Sequence, residues 1–349
     1  MIRILLMVLM LGGLTVSAQA LTELSIDYKS AAPPQFDAKY VYYISSQGEL
    51  VKRGHGGQLQ WEIDLETRQA FDLRFKSIFL VATNGDLLCL DREYGYKKWS
   101  FSSTSPVQSV KAHYPVLVLQ TADHRLFGLD YQSGQILWES KTHRWYDFEV
   151  SVSDSIVRAV SDTAIYDLNL QTGSVQRHWS LGRYSHQALS FIKFGPPTLL
   201  QGKESRLYLL EDKGLLDLRL SAQVLANNNE WLLLKQEKRE LPSLFQLKSR
   251  RLTELPELSE ASEIRMLYGD RSDRFLSQDE QKVEVYSLTE IYQSQDPSPL
   301  YRFSDVPCDI YRASLIKRMV YALCQNDDRV LILDPSEEAE QDDDSDDED

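Results

Sequence analysis

The side chains that could do chemistry in this 349-residue chain are few and scattered. Six histidines stand at positions 55, 113, 124, 143, 178 and 186, and no His-Glu-x-x-His, Cys-x-x-Cys or Cys-x-x-Cys-His spacing supports zinc or covalent haem. No Gly-x-Ser-x-Gly elbow or glycine-rich phosphate cradle occurs. Carboxylates are plentiful, but nothing in their spacing assigns one as acid and another as base. The expectation is a chain with no catalytic, cofactor-binding or metal-binding residue. Cys89, Cys308 and Cys324 are the only thiols. In an oxidising compartment Cys308 and Cys324 can close a short loop worth about 3 kcal/mol, and the sequence leaves that pairing open. Cys89, within the apolar run at 87–90, reads as a small buried hydrophobe.

The informative residues are structural, and they recur. Asp130, Gly134 and Trp138 have counterparts in Asp91, Gly95 and Trp99, while Gly57 and Trp61 keep the glycine-to-tryptophan spacing. A fourth copy has Asn169 and Gly173, with Trp179 two residues late. Successive glycines lie 38, 39 and 39 residues apart, so the chain is a periodic array. Within one copy, β-rich runs at 116–120 and 125–130 flank a turn at 122–124, and a third run begins at 136. Asp130 ends the second run, and Gly134 supplies the positive φ of a tight turn. A tryptophan then covers apolar area against the neighbouring unit. Four tryptophans at fixed spacing imitate a ligand-stacking set, but their place in the repeat makes them structural. His124 reads as a solvated turn residue.

Hairpin signals continue at 41–52, 78–91, 115–130, 155–168, 198–210, 231–247, 274–288 and 319–333, the second turning at Asn84-Gly85. Eight hairpins at about 39 residues each predict an all-β fold, an eight-bladed β-propeller of four-stranded antiparallel blades, with seven blades as the other count. The Asp, Gly and Trp signature fades after residue 180. The last hairpin lacks a fourth strand, which residues 22–28 are expected to supply, closing the ring and hiding its edges. Helix is hinted at only in 252–263, where Pro256 limits its length.

Residues 1–20 combine Arg3, an apolar core over 4–16 and Ala18-Gln19-Ala20, the pattern of a cleaved signal peptide. A single propeller domain over 21–335 and a disordered acidic tail over 336–349 complete the expected organisation. The formal charge is −14, and ten carboxylates fall between Glu337 and Asp349. The body is therefore only mildly acidic, with no basic face to neutralise a nucleic-acid backbone. No Asn-x-Ser/Thr acceptor occurs, which leans towards bacterial export.

The Leu-Asp-x-x-x-Gly-x-x-x-Trp pattern at 90–99 and 129–138 resembles the tryptophan-docking repeat of the pyrroloquinoline-quinone (PQQ)-type propellers. Size, export signal and blade count are similar to those of the non-catalytic propellers of the bacterial outer-membrane barrel assembly machinery. Those are lipoproteins, and this chain has no cysteine after its signal, so the resemblance implies a soluble relative. It implies a periplasmic or secreted scaffold, monomeric within a larger complex, that contacts envelope proteins through blade loops and strand edges, with no membrane span in the mature chain. Wider resemblances give two alternatives. One is a PQQ-dependent dehydrogenase-like quinoprotein, although this sequence lacks the vicinal cysteine pair of those enzymes. The other is a luminal propeller of an endoplasmic-reticulum insertion complex.

Overall fold

The computed structural model describes residues 20–26, 33–65, 71–186, 188–193, 198–228, 230–236, 242–254, 263–269, 273–294, 299–316, 318–325 and 329–335. The leader up to residue 19, the segment 255–262 that covers most of the hinted helix, and the tail 336–349 lie outside them.

Eight four-stranded antiparallel blades succeed one another along the chain. Blade 3 shows the rule. Its strands Val107–Ala112, Val116–Thr121, Leu126–Asp130 and Ile136–Ser140 pair in sequence order, from the innermost strand to the outermost. The second strand is buried at every position, because both of its faces meet neighbouring blades. The outermost strand begins with two exposed residues, Ile136 and Leu137. Blades 1, 2 and 4 occupy 35–64, 71–101 and 145–180, blades 5 and 6 occupy 190–221 and 223–254, and blade 7 occupies 263–303. Cores form between blades as much as within them. Phe79, Cys89 and Phe101 of blade 2, for example, pack with Leu117, Leu119 and Phe127 of blade 3. Burial pushes the Cys89 thiol up to about 11, as befits a core residue.

Blade 8 takes three strands, Ile310–Ile316, Met319–Cys324 and Arg329–Asp334, from the end of the chain and its fourth, Ala20–Ser25, from the beginning. The closing strand starts at Ala20, two residues before the expected position, and pairs antiparallel from Ala20 with Asp334 to Ser25 with Arg329. Leu24 and Ile26 are buried against Val41, Tyr43 and Tyr321.

Two features depart from the sequence expectation. The innermost strands of blades 7 and 8 pair in parallel, Leu267 to Gly269 against Ala313 to Leu315, so the last two blades form one eight-stranded sheet. The helix of the described region is Leu288–Ser294, inserted between the third and fourth strands of blade 7. Its Leu288 and Ile291 are buried in the seam with blade 6. Among the described residues, no helix is long and apolar enough to cross a membrane.

Candidate interaction surface

The repeat residues lie at the seams. Asp91 Oδ1 accepts the backbone N–H groups of Glu93 and Tyr94 at 2.9 and 3.0 Å, Asp130 those of Gln132 and Ser133 at 3.1 and 2.8 Å, and Asn169 those of Gln171 and Thr172 at 2.9 and 3.0 Å. Each side chain closes its own turn. Those N–H bonds hold the Asp91 and Asp130 carboxyls below the usual aspartate range, helped at Asp91 by Lys98 and at Asp130 first by the Ser133 hydroxyl, while burial works the other way. The turn glycine then receives the tryptophan of the preceding blade. A Cβ on Gly134, whose φ is +71°, would lie 2.5 Å from the Trp99 ring, and one on Gly173 2.7 Å from Trp138. Gly95 meets Trp61 and Ile63, while Gly57 faces Leu24 of the closing strand. Trp61 Nε1 donates to the Glu93 carbonyl and Trp138 Nε1 to the Leu170 carbonyl, both at 2.9 Å.

The fourth seam is built differently. Arg177 is four residues after its turn glycine and pairs with Asp167, in the register where Trp138 pairs with Gly128. Its guanidinium reaches the Asp212 carboxylate of blade 5 at 3.0 Å. Trp179, two residues on, is held between Arg177 and Arg158, whose guanidinium carbons lie 4.4 and 5.0 Å from its ring. The late tryptophan is thus a change of seam chemistry that spacing alone does not reveal.

His124 is more than a solvated turn residue. Its Nδ1 is 2.9 Å from the Trp145 carbonyl, to which it must donate, leaving Nε2 to accept from Arg144 at 3.0 Å. The imidazole therefore ties blade 3 to blade 4. Of the remaining histidines, His143 and His178 both stack on the Tyr166 ring, and no group of three or more His, Cys, Asp or Glu could hold a metal ion among the described residues. Cys308 and Cys324 are joined by a disulfide, with Cα atoms 5.6 Å apart.

What remains for function is surface. Antiparallel pairing brings the end of the first strand and the end of the third strand of each blade to one face of the ring. On blades 2 and 3 that face carries Phe75, Tyr94, Tyr96 and Tyr114, exposed by 86, 74, 58 and 65%. Large apolar groups so exposed and so close together mark recognition surfaces. Phe75 and Lys76 form a ridge between two depressions. One, of about 490 Å³, is bounded by Ser77, Lys98, Tyr114 and Tyr131. The other, of about 470 Å³, is bounded by Tyr40, Tyr42, Arg92 and Tyr94. Beneath the second, Arg92 joins the Asp37 carboxylate and donates to Tyr42 Oη at 3.2 Å. Burial alone would raise the Asp37 carboxyl, but the N–H groups of Lys39 and Tyr40 together with Arg92 hold it below the usual range. Lys52, 1% exposed, crosses the same seam to the carbonyls of Arg92 and Glu93 at 3.3 and 3.4 Å. The surface therefore rests on a tied frame. These aromatics are hidden in the sequence because they sit at turn positions outside the strand alternation; the signal is four rings in loops where polar residues are usual.

Comparison with known proteins agrees with this architecture. The model of the PQQ-type repeat family described as outer membrane protein assembly factor BamB matches residues 13–166 and 50–231. No curated protein sequence matches the chain. Among solved structures, BamB from Moraxella catarrhalis is similar with a TM-score of 0.59 at 15% identity, covering 90% of this chain and 98% of that one. The computationally designed Ika8 protein gives 0.64 at 14% identity, covering 88% and 98%. The Cps50 (Swd1) propeller domain of Myceliophteria thermophila gives 0.52 at 9% identity, covering 90% and 99%. Such likenesses establish the fold, and the family match spans well over half the sequence. The chain belongs to the BamB family of PQQ-type repeat propellers.

Proposed function

We propose that this protein is a non-enzymatic scaffold of a bacterial cell envelope that holds partner proteins on its ring during outer-membrane protein assembly. The observation that carries the reading is the aromatic surface of blades 2 and 3, presented on a rigid family frame. The outer strands add a second mode. Leu59, Ile136, Leu137 and Val175 are exposed on them, and an outer strand offers unpaired backbone groups to an incoming strand. The leader pattern over residues 1–20 supports export, and with it a ring that is periplasmic or secreted. The absence of a Cys-Cys pair from the sequence supports a non-catalytic role.

The test is photo-crosslinking in cells from an unnatural residue at Phe75 or Tyr114, with the turn residue Glu204 on the opposite face as control. One defined envelope protein is expected from the first two sites and not from the third. The reading fails if no site captures a protein, or if the purified protein carries bound quinone with dye-linked dehydrogenase activity.

A further inference from the structure

On blades 8, 1 and 2 the face that carries Phe75 has more positive charge than its own acids can neutralise. The described acids there are committed: Asp37 to Arg92, Asp72 to Arg74, Asp91 to Lys98 and Glu93 to Lys52. Asp334, at the end of the arc, also has a partner. Four exposed cations remain, none in an ion pair with a described residue: Arg318 on blade 8, Lys39 on blade 1, and Lys76 and Lys97 on blade 2. The Lys76 ammonium lies over the Phe75 ring, 5.8 Å from its centroid. All four emerge after first strands or at turns after third strands, so they share one face.

The chain supplies a complement. Asp334 ends the third strand of blade 8 on that same face, level with the turn that carries Arg318. Residues 336–349 contain ten carboxylates and no cation. Fourteen residues reach roughly 45 Å when extended. Blade sheets pack about 10 Å apart, which puts blade 2 roughly 20 Å away. We infer that the acidic C-terminal segment 336–349 lies across the arc formed by Arg318, Lys39, Lys76 and Lys97. There it acts as an internal competitor for acidic segments of partner proteins at the edge of the aromatic surface. The placement is independent of which partner the scaffold serves. It rests on exposed charges, so it is broken by salt.

Carbodiimide crosslinking of the full-length protein, read by mass spectrometry, tests it. Equal amounts of isotopically heavy and light protein are mixed so that links within a chain are separated from links between copies. Links from carboxylates 337–349 to Lys39, Lys76 and Lys97 are expected within one chain, about tenfold above links to Lys213 and Lys248 on the far blades or Lys203 on the opposite face, and are expected to disappear in about 0.5 M sodium chloride. A variant carrying Lys39→Glu, Lys76→Glu, Lys97→Glu and Arg318→Glu should show no preference among the lysines that remain. The inference is overturned by links spread evenly over all exposed lysines, by heavy-to-light links alone, or by an unchanged salt-resistant pattern.

Discussion

The seams of blades 1 to 4 and the seam region of blades 7, 8 and 1 hold one ring by different means. In the first, one side chain from a shared register reaches over the next blade's turn, a tryptophan at the first three joints and Arg177 at the fourth. In the second, no such signature exists. Blades 7 and 8 share a parallel strand pair, a disulfide joins Cys308 to Cys324, and Gln278 accepts from the Ile310 N–H at 2.8 Å while donating to the Cys308 carbonyl at 2.9 Å. Repetition can be copied from unit to unit. The place where the ring must shut is unique and is built once.

That contrast can be broken experimentally, and removing the closing strand should have the largest effect. Deleting residues 21–26 takes away the ladder to 329–333 and the buried Leu24 and Ile26. A loss of roughly 5 kcal/mol or more is expected, with a broadened, multi-step melt by calorimetry. An unchanged single transition would refute closure by strand exchange.

Docking residues come next. Trp138→Ala should cost about 3–5 kcal/mol, since it empties a buried site and removes the bond to Leu170. Arg177→Ala, in the equivalent register but half-exposed, should cost less than about 1 kcal/mol. Equal losses in urea titration would show that the two seams are not different in kind.

Opening the disulfide by Cys308→Ser should cost about 3 kcal/mol for its separation of 16 residues, and reductant should lower the denaturation midpoint of the native protein by a matching amount. If reductant has no effect on the midpoint, the covalent tie does not belong to the closure.

The smallest effect is electrostatic. Because the folded state holds the Asp37 carboxyl below the ordinary aspartate value of 3.8, its contribution is complete above that value and is lost as pH falls below it through the lower folded-state value. Arg92→Ala should remove about 1 kcal/mol at neutral pH and flatten the acid limb of the stability profile. A parallel acid limb in the variant would mean that Arg92 does not hold that carboxylate.

The sequence disclosed the first half of the ring well because its seams use residues with narrow roles. Asp91, Asp130 and Asn169 cap turns, glycines take positive φ, and tryptophans fill the gap a glycine leaves. In the second half only the paired apolar runs survive, enough to count blades but silent on how they join. The parallel pairing of 267–269 with 313–315 joins segments that carry no motif, and the helix Leu288–Ser294 hides in a run that also reads as the end of a strand. The surface was least legible of all. Phe75 and Tyr114 look like ordinary loop residues until the ring sets them side by side.

The pairing of residues 21–25 with 329–333 has a kinetic meaning as well. The closing strand waits long for its neighbour, because 306 residues separate Glu23 from Arg329, whose guanidinium donates to it. Until then both rims of the nascent crescent stay open to strand addition, and so late a contact makes for slow completion. A chain cut short anywhere before residue 329 would keep that vulnerability permanently, and quality control would meet it as a sticky, incomplete arc.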